Sequence, residues 1–593
     1  MGQLDSGNAA WILTSASLVF LMTPGVAFFY GGMVRAKAVL NMMIMEAAAL
    51  SVTMIMWVLW GWSIAYAGTS VGGIFGDPAT GFLLKDTMVS DKGVFTSAAL
   101  NGNNYPVSVD VAFQSAFAMI TVALICGAIA ERVKYSTWMI FVALWITFDY
   151  APLAHMVWNG GLLSADGAIS QAIGAAAHDF AGGTVVHINA AVAALVIVLI
   201  IGKRKGFGTQ PFRPHNVPFV MLGAFLLWFG WFGFNGGQTL SLTGEQTILK
   251  AASIFFTTNI AAAAGTTTAM VTTWIRYGKP DVSMTLDGSL AALVAITAGC
   301  DVVSVPGAFV IGALAGSVTV FLIEFIDQKM RIDDPVGAIA AHGGCGALGT
   351  LLTGLFSVQD GLFYTGEIRL FLVQLAGIVA MGLFVFVAMT LVFRILQATI
   401  GLRVSAAEEI NGLDFKENGL VPAYELDRSD DLEDLSQALK AGEAPEEAQE
   451  IPLDQAIPDS VMASPQPVGG HALYNVTIIT DEKRFETLKD AMEAIGITGM
   501  TITRALGFGI EKGRTEFYRG AKVSAKLLPK VRVEMVVSKV SPRTIIETAK
   551  KVLYTGNYGD GKVFVSAIDN AVKIRTGEEG YDALQDYPVV QKK

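Results

Sequence analysis

Cysteine and charge are scarce in this chain. The three cysteines, Cys126, Cys300 and Cys345, all lie in apolar blocks with no spaced pair among them, which argues against a disulfide framework or a zinc site. Charged residues make up 16% of the 593 residues, against about 25% in ordinary globular domains. With 53% hydrophobic residues and a mean hydropathy of +0.51, an ordinary soluble fold is excluded. A basic stretch ahead of the first apolar run is also missing, and Asp5 stands there instead. Residues 9–31 are therefore expected to be a retained span, not a cleaved signal peptide. No catalytic constellation and no metal-ligand cluster stands out, so the chain is expected not to be an enzyme, and nothing in it calls for nucleic acid.

What is present divides into two regimes near residue 404. Upstream, long apolar blocks alternate with short polar loops; downstream, the composition is that of a soluble protein. Residues 404–470 hold sixteen Asp or Glu against three Lys or Arg, so this solvated, Pro-containing segment more than accounts for the net charge of −10 and the rest of the chain is slightly positive. The expected organisation is a membrane domain over 1–403, a polar tail over 404–427, an acidic linker over 428–470 and a soluble domain over 471–593. At about 20 apolar residues per crossing, eleven spans are expected, centred near 20, 54, 120, 147, 192, 228, 262, 293, 315, 346 and 383. Loops on one side carry fourteen Lys or Arg, Arg132, Lys203 and Arg403 among them, and loops on the other carry four: Lys85, Lys92, Lys250 and Arg369. That bias puts the N-terminus outside and the C-terminal segment in the cytoplasm.

The apolar blocks also repeat. Phe28-Phe29-Tyr30-Gly31-Gly32 in the first span answers Gly233-Phe234-Asn235-Gly236-Gly237 in the sixth. In the fifth, Asp179 lies eight residues before His187; in the tenth, Asp334 lies eight before His342. Two five-span halves starting on opposite sides form an inverted repeat, which places a functional site at the midplane. An ionisable residue inside a span usually lines an internal path. One such histidine could be satisfied by simple packing; two at matched positions argue against that. Both are expected as neutral imidazoles, each offering one N–H and one lone pair. Phe113, Phe117, Trp158, Trp231 and Phe234 sit at span interiors or mouths. Most membrane aromatics are packing or interfacial residues, but a cluster at an entrance could hold a small cation at about 0.5–2 kcal/mol per ring.

The run Asp179-Phe180-Ala181-Gly182-Gly183-Thr184-Val185-Val186-His187 resembles the signature of the Amt/Rh ammonium transporter family. Trp231-Phe232-Gly233-Phe234-Asn235 and Asp333-Asp334-Pro335 … His342-Gly343 follow in the family's order. The resemblance covers about residues 9–425 and implies a homotrimer in a bacterial inner membrane with one pore per subunit. It further implies that His187 and His342 are the twin pore histidines and that Phe117 and Phe234 form the stacked gate. Phe113 and Trp158 would wall an outer ammonium recruitment site, with Asp179 the structural carboxylate beneath it. Gln238 stands where many members have a serine that hydrogen-bonds the recruited ion. No cofactor is expected for transport.

Beyond residue 472 the chain reads strand, helix, strand, long loop, strand, helix, strand, a ferredoxin-like repeat. The expected fold class is thus an α-helical polytopic membrane protein, an inverted five-plus-five repeat plus one helix, with a C-terminal α+β domain. Thr555-Gly556-Asn557-Tyr558-Gly559-Asp560-Gly561-Lys562 could cradle phosphates with its backbone N–H groups, although an ordinary glycine-rich turn fits the run as well. Gly499-Met500-Thr501, Gly507-Phe508-Gly509, Thr515 to Ala521, Leu528-Pro529-Lys530 and Arg575-Thr576-Gly577-Glu578-Glu579 fall in the order of PII nitrogen-signalling proteins. That second resemblance implies a trimer binding ATP, ADP or AMP through Thr501, Gly507, Gly509, Ile510, Glu511, Gly559, Asp560, Gly561, Lys562, Lys573 and Arg575. It also implies an inhibitory loop bearing Arg519. Lys573 stands where that family often has Arg, and Val523 occupies the position of its modified tyrosine, which excludes uridylylation there. Glu511 replaces a Gln that helps hold Mg²⁺ and 2-oxoglutarate, and Asp481 replaces a basic residue nearby. Two added negative charges predict nucleotide binding with a weak or absent response to Mg²⁺-dependent 2-oxoglutarate.

Overall fold

The computed structural model describes residues 4–418 and 472–584, apart from 86, 88, 92–93, 97–99, 210–211, 482–483, 508–514, 519–520, 525–527 and 555–559. The acidic linker over 428–470 lies outside the described residues. The chain falls into two compact units, the larger over Met1–Leu426 with Phe517–Ala521 and the smaller over Asp427–Glu516 and Lys522–Lys593.

In the larger unit, ten helical stretches among the described residues are long and apolar enough to cross a membrane. They are α1 (Ser6–Met33), α2 (Ala36–Gly61), α3 (Val107–Ala128), α4 (Tyr135–Trp158), α5 (Gly183–Ile201), α6 (Val217–Gly237), α7 (Glu245–Tyr277), α9 (Val305–Lys329), α10 (Ile339–Phe356) and α11 (Arg369–Thr399). Between α7 and α9 lies α8 (Val282–Thr297), of 16 residues. At 1.5 Å per residue it is roughly 24 Å long, short of the roughly 30 Å hydrocarbon core, so the expected count of eleven becomes ten full-length helices and one short one. The reason lies in its surroundings. Nearly every α8 side chain is buried, by α7, α9, α10 and α6, so protein rather than lipid sets its length. The two halves meet along α1 and α6, the first helix of each, which share the most extensive helix–helix contact in the unit.

At one end of this unit the loops are tied together by buried charge. Arg132 donates to Asp333 Oδ2 at 2.6 Å, Arg204 to Asp333 Oδ1 at 2.8 Å, and Arg35 to Glu131 Oε2 at 2.6 Å. Two short tail helices, α12 (Ala406–Asn411) and α13 (Leu413–Asn418), join the network. Glu409 takes Arg403 at 2.7 Å, and Asp414 accepts the backbone N–H of Asn41 at 2.7 Å. Asp414 thereby places a carboxylate at the positive end of the α2 dipole.

Burial pushes the Asp333 carboxyl up, but Arg204 and Arg132 outweigh it and hold it well below the usual carboxylate range. A depressed folded value means the stabilisation is fully present above the unfolded value of about 3.9 and fades as pH falls through the folded one. Asp333→Asn is therefore expected to lower the unfolding temperature strongly at pH 7, because breaking a buried pair costs about 3–5 kcal/mol. The gap to wild type narrows below about pH 4, where the unfolded carboxyl takes up a proton that the folded carboxylate still refuses. Melting curves in detergent from pH 7 to 3 check this; a gap independent of pH would assign the loss to packing.

Beyond the acidic linker the strands are β1 (Leu473–Asp481), β2 (Thr501–Gly507), β3 (Thr515–Tyr518), β4 (Ala521–Ser524), β5 (Leu528–Val537) and β6 (Lys562–Ile568), with helices α14 (Phe485–Ala494) and α15 (Pro542–Leu553). The main sheet is antiparallel in the order β6-β1-β5-β2, the ferredoxin-like arrangement. Its buried face is alternate strand residues, Val476 and Ile478 on β1 and Val531, Val533 and Met535 on β5, the period of two that a half-buried sheet requires. Against it α15 packs Ile545, Ala549 and Leu553, spaced by four as one helical face. Ser541 caps that helix by accepting the Thr544 N–H, with Pro542 at its first position, where the missing N–H costs nothing.

Candidate functional site

Two aspartates build the centre of the membrane unit. The chain turns into α5 at Gly182, whose φ of +112° and would-be Cβ contact of 2.6 Å with Val186 admit only glycine. That turn aims successive backbone N–H groups back at Asp179. Its Oδ1 accepts Gly182 at 3.0 Å and Gly183 at 2.5 Å, and its Oδ2 accepts Thr184 at 2.8 Å, Val185 at 3.2 Å and the Thr184 hydroxyl. The cap holds a π-helical turn, Gly183–Ile188, that carries His187. In the second half Asp334 accepts the Ile339 N–H at 2.7 Å at the head of a second π-helical turn, Ile339–Gly344, that carries His342. Such widened turns recur at functional sites.

The two turns bring the imidazoles together. His187 and His342 are 1% and 5% exposed, their rings lie 21° from parallel with centroids 5.2 Å apart, and Nδ1 faces Nδ1 at 3.2 Å. At that distance one Nδ1 donates and the other accepts, so neutral rings take opposite tautomers. His187 Nε2 is buried with no hydrogen-bond partner among the described residues.

Aromatic rings continue the line away from the pair. Trp231 stacks on His187 at 5.5 Å, held by its indole N–H to Thr297 at 3.0 Å, and Phe234 lies 5.8 Å from the same imidazole. Phe234 and Phe117 stack at 4.3 Å and 24°, both fully buried. Beyond them Phe113 meets Phe117 edge-on at 5.0 Å, and Trp158 does so at 6.2 Å while donating its indole N–H to the Asp179 carbonyl at 2.8 Å. Gln238 follows α6, with its Nε2 buried and unpartnered among the described residues. His342, His187, Trp231, Phe234, Phe117, Phe113 and Trp158 therefore form one connected file. Asp179 spends its carboxylate on its own backbone and has no oxygen to spare for a ligand.

Beside the imidazole pair and Phe234 is a cavity in which the centres of water-sized molecules have about 20 Å³, above the roughly 10–15 Å³ that one water needs. His187, His342, Trp231, Phe234, Tyr30 and Asp287 are among its lining. The sequence reading overlooked Asp287. Its signal was there, a lone acid within the apolar block of the eighth helix.

In the smaller unit the strand register gathers several of the expected nucleotide contacts at one end of the sheet. Gly507 pairs with Leu528, Asp481 with Lys530 and Lys562 with Ile479. Asp560 accepts the Thr480 hydroxyl through its carbonyl at 3.0 Å. Gly561, with φ +116°, lies so close to the sheet that a Cβ would stand 2.4 Å from the Ile479 carbonyl. Lys573 pairs with Glu578 at 3.6 Å, and Arg575 is exposed in the turn between them. Thr501 pairs with Glu534, at the opposite end of β2 and roughly 20 Å from Gly507 at the strand rise, so one chain does not bring it to the others. Gly509, Ile510, Glu511, Arg519 and Gly559 lie outside the described residues.

Comparison with known proteins follows this division. The family described as Ammonium Transporter Family matches residues 10–422, and that described as Nitrogen regulatory protein P-II matches residues 473–578. An "Ammonium transporter" of Mycobacterium bovis is 42% identical over 440 residues, covering 70% of this chain and 90% of the relative. One of Aquifex aeolicus is 39% identical over 414 residues, covering 69% and 91%. Among solved structures, one titled "Sensor Amt Protein" superposes with a TM-score of 0.62 at 28% identity, covering 70% of this chain and 98% of that one. The crystal structure of Saccharomyces cerevisiae Mep2 gives 0.60 at 30% identity, covering 68% and 89%.

Proposed function

The chain belongs to the Ammonium Transporter Family and carries a C-terminal P-II domain, and from that premise we propose that it moves ammonium through a twin-histidine pore under the control of its own nucleotide-binding domain. The observation that carries this reading is the imidazole pair at 3.2 Å directly behind the stacked phenyl rings of Phe117 and Phe234. Ammonium is held at the outer mouth by the faces of Phe113 and Trp158, with the Gln238 carbonyl as acceptor. A bare cation cannot pay for entry into the buried file, so it gives up a proton and neutral ammonia passes the rings. The proton enters at His187 Nε2, shifts across the Nδ1–Nδ1 bond and leaves from His342. Potassium has no proton to shed and is refused.

The membrane is the bacterial inner membrane, with the N-terminus outside and the P-II domain in the cytoplasm, as the loop charges ask. Both domains are read as trimeric. ATP, ADP or AMP binds through Gly507, Asp560, Gly561, Lys562, Lys573 and Arg575, joined across subunits by Thr501. A sensing role with little flux is the rival reading, favoured by the likeness to the "Sensor Amt Protein" and by the bulky Gln238 at the mouth. Current recorded from the full-length protein in proteoliposomes, with ADP, ATP and 2-oxoglutarate varied, separates them. Transport predicts an ammonium-evoked current, none with potassium, altered by adenine nucleotide and little changed by 2-oxoglutarate. A silent membrane would leave only the sensor.

A further inference from the structure

The proton route above ends at His342 and makes no use of Asp287. This acid sits on α8, one helical turn from Leu290, and both residues line the cavity beside the imidazole pair, with His187 and His342 on its wall. Asp287 is 1% exposed. Apart from the two imidazoles and the phenol of Tyr30, the remaining lining is apolar, Leu124 and Leu227 among it. His187, whose Nε2 is buried without a partner among the described residues, and His342 share this cavity with the acid. An acid walled in by helices inside a membrane is costly and points to an ion or proton path.

We propose that Asp287 is the counter-ion of an inner ammonium subsite, where ammonia that has crossed the gate recovers its proton. The step balances within the site. An N–H bond on the inner imidazolium breaks, an N–H bond forms on ammonia, the imidazole pair returns to neutrality, and the carboxylate balances the charge of the new ammonium. The carboxylate favours the charged product at the inner end only, which opposes back-slippage of neutral ammonia. The subsite takes ammonium and, within about 20 Å³, little that is larger. This inference rests on the transport reading, and two readouts keep their failures apart.

The first is ammonium-evoked current of the full-length protein in proteoliposomes. Asp287→Asn keeps the shape of the side chain and is expected to lower current at least tenfold, with Asp287→Glu restoring most of it; a packing role would be met by Asn. The second is infrared difference spectroscopy of the same membranes with and without ammonium, where a carboxyl change seen in the wild type is expected to vanish in Asp287→Asn. Wild-type current in Asp287→Asn, or a carboxyl change that persists in it, overturns the subsite. If the wild type itself passes no current, the transport reading falls while the infrared comparison still decides the subsite. Should Asp287→Asn fail to fold, wild-type protein labelled with ¹³C-aspartate carries the test, and no isotope-shifted change on adding ammonium overturns it.

Discussion

Alanine at both His187 and His342 is expected to abolish the ammonium-evoked current of the full-length protein while leaving it folded. The imidazoles pack against each other and against Trp231 and Phe234, and among the described residues their one side-chain hydrogen bond is the bond between them. Removing both therefore orphans no other buried polar atom, and the cost in stability is that of a cavity. The cost in conduction is of another kind. Without the pair, a proton separated from ammonia has no carrier through the file, and the alternative is an intact cation in a low-dielectric bore. The effective penalty for burying an unpaired ion is several kcal/mol, and each 1.36 kcal/mol is a factor of ten in rate, so the loss should be at least about a hundredfold. Neutral ammonia should still pass, because the widened bore stays open to it. The variant is thus expected to turn a current-carrying transporter into a passage for the gas, read out as internal alkalinisation without current. Undiminished current would defeat the relay.

Asp179→Ala is expected to be the most damaging single change to the fold of the membrane unit. The carboxylate accepts from four consecutive backbone N–H groups and one hydroxyl, at a site 9% exposed. Leaving a buried donor unsatisfied costs about 1–3 kcal/mol. Even if water reached two of these five, the sum would approach the 5–15 kcal/mol that separates folded from unfolded protein. The π-helical turn that aims His187 has no other cap among the described residues. Little monodisperse protein should be recovered in detergent, and what survives should melt far below the wild type. Asp179→Asn keeps acceptors on one oxygen only and should fall between the two. Should Asp179→Ala melt with the wild type, the turn must be held by packing alone.

Much of this was legible along the chain. The two Asp-to-His spacings of eight located both capped turns, because a cap and the residue it positions are bound by local backbone geometry. The aromatic file was legible only through the family resemblance, because most aromatics in membrane helices are packing or interfacial residues. In the smaller unit the alternation of Val476 and Ile478 and the four-residue spacing of Ile545, Ala549 and Leu553 announced strand and helix directly. Less visible were features that depend on what surrounds a helix. The shortness of α8 follows from its burial by four neighbours, which hydropathy does not register. Asp333 read as part of a motif, yet its role is to bind Arg132 and Arg204 from two other loops.

The sequence by itself determined that this is a membrane protein with an internal duplication, two buried histidines and a soluble α+β domain, since periodicity, hydropathy and cap spacing are properties of neighbours along the chain. Only the tertiary structure decided that the imidazoles meet Nδ1 to Nδ1, that Asp179 is consumed by its own backbone, and that Asp287 shares a cavity with the pair. Those are distances between helices far apart in sequence, and they are set by how apolar faces pack, which no single segment encodes.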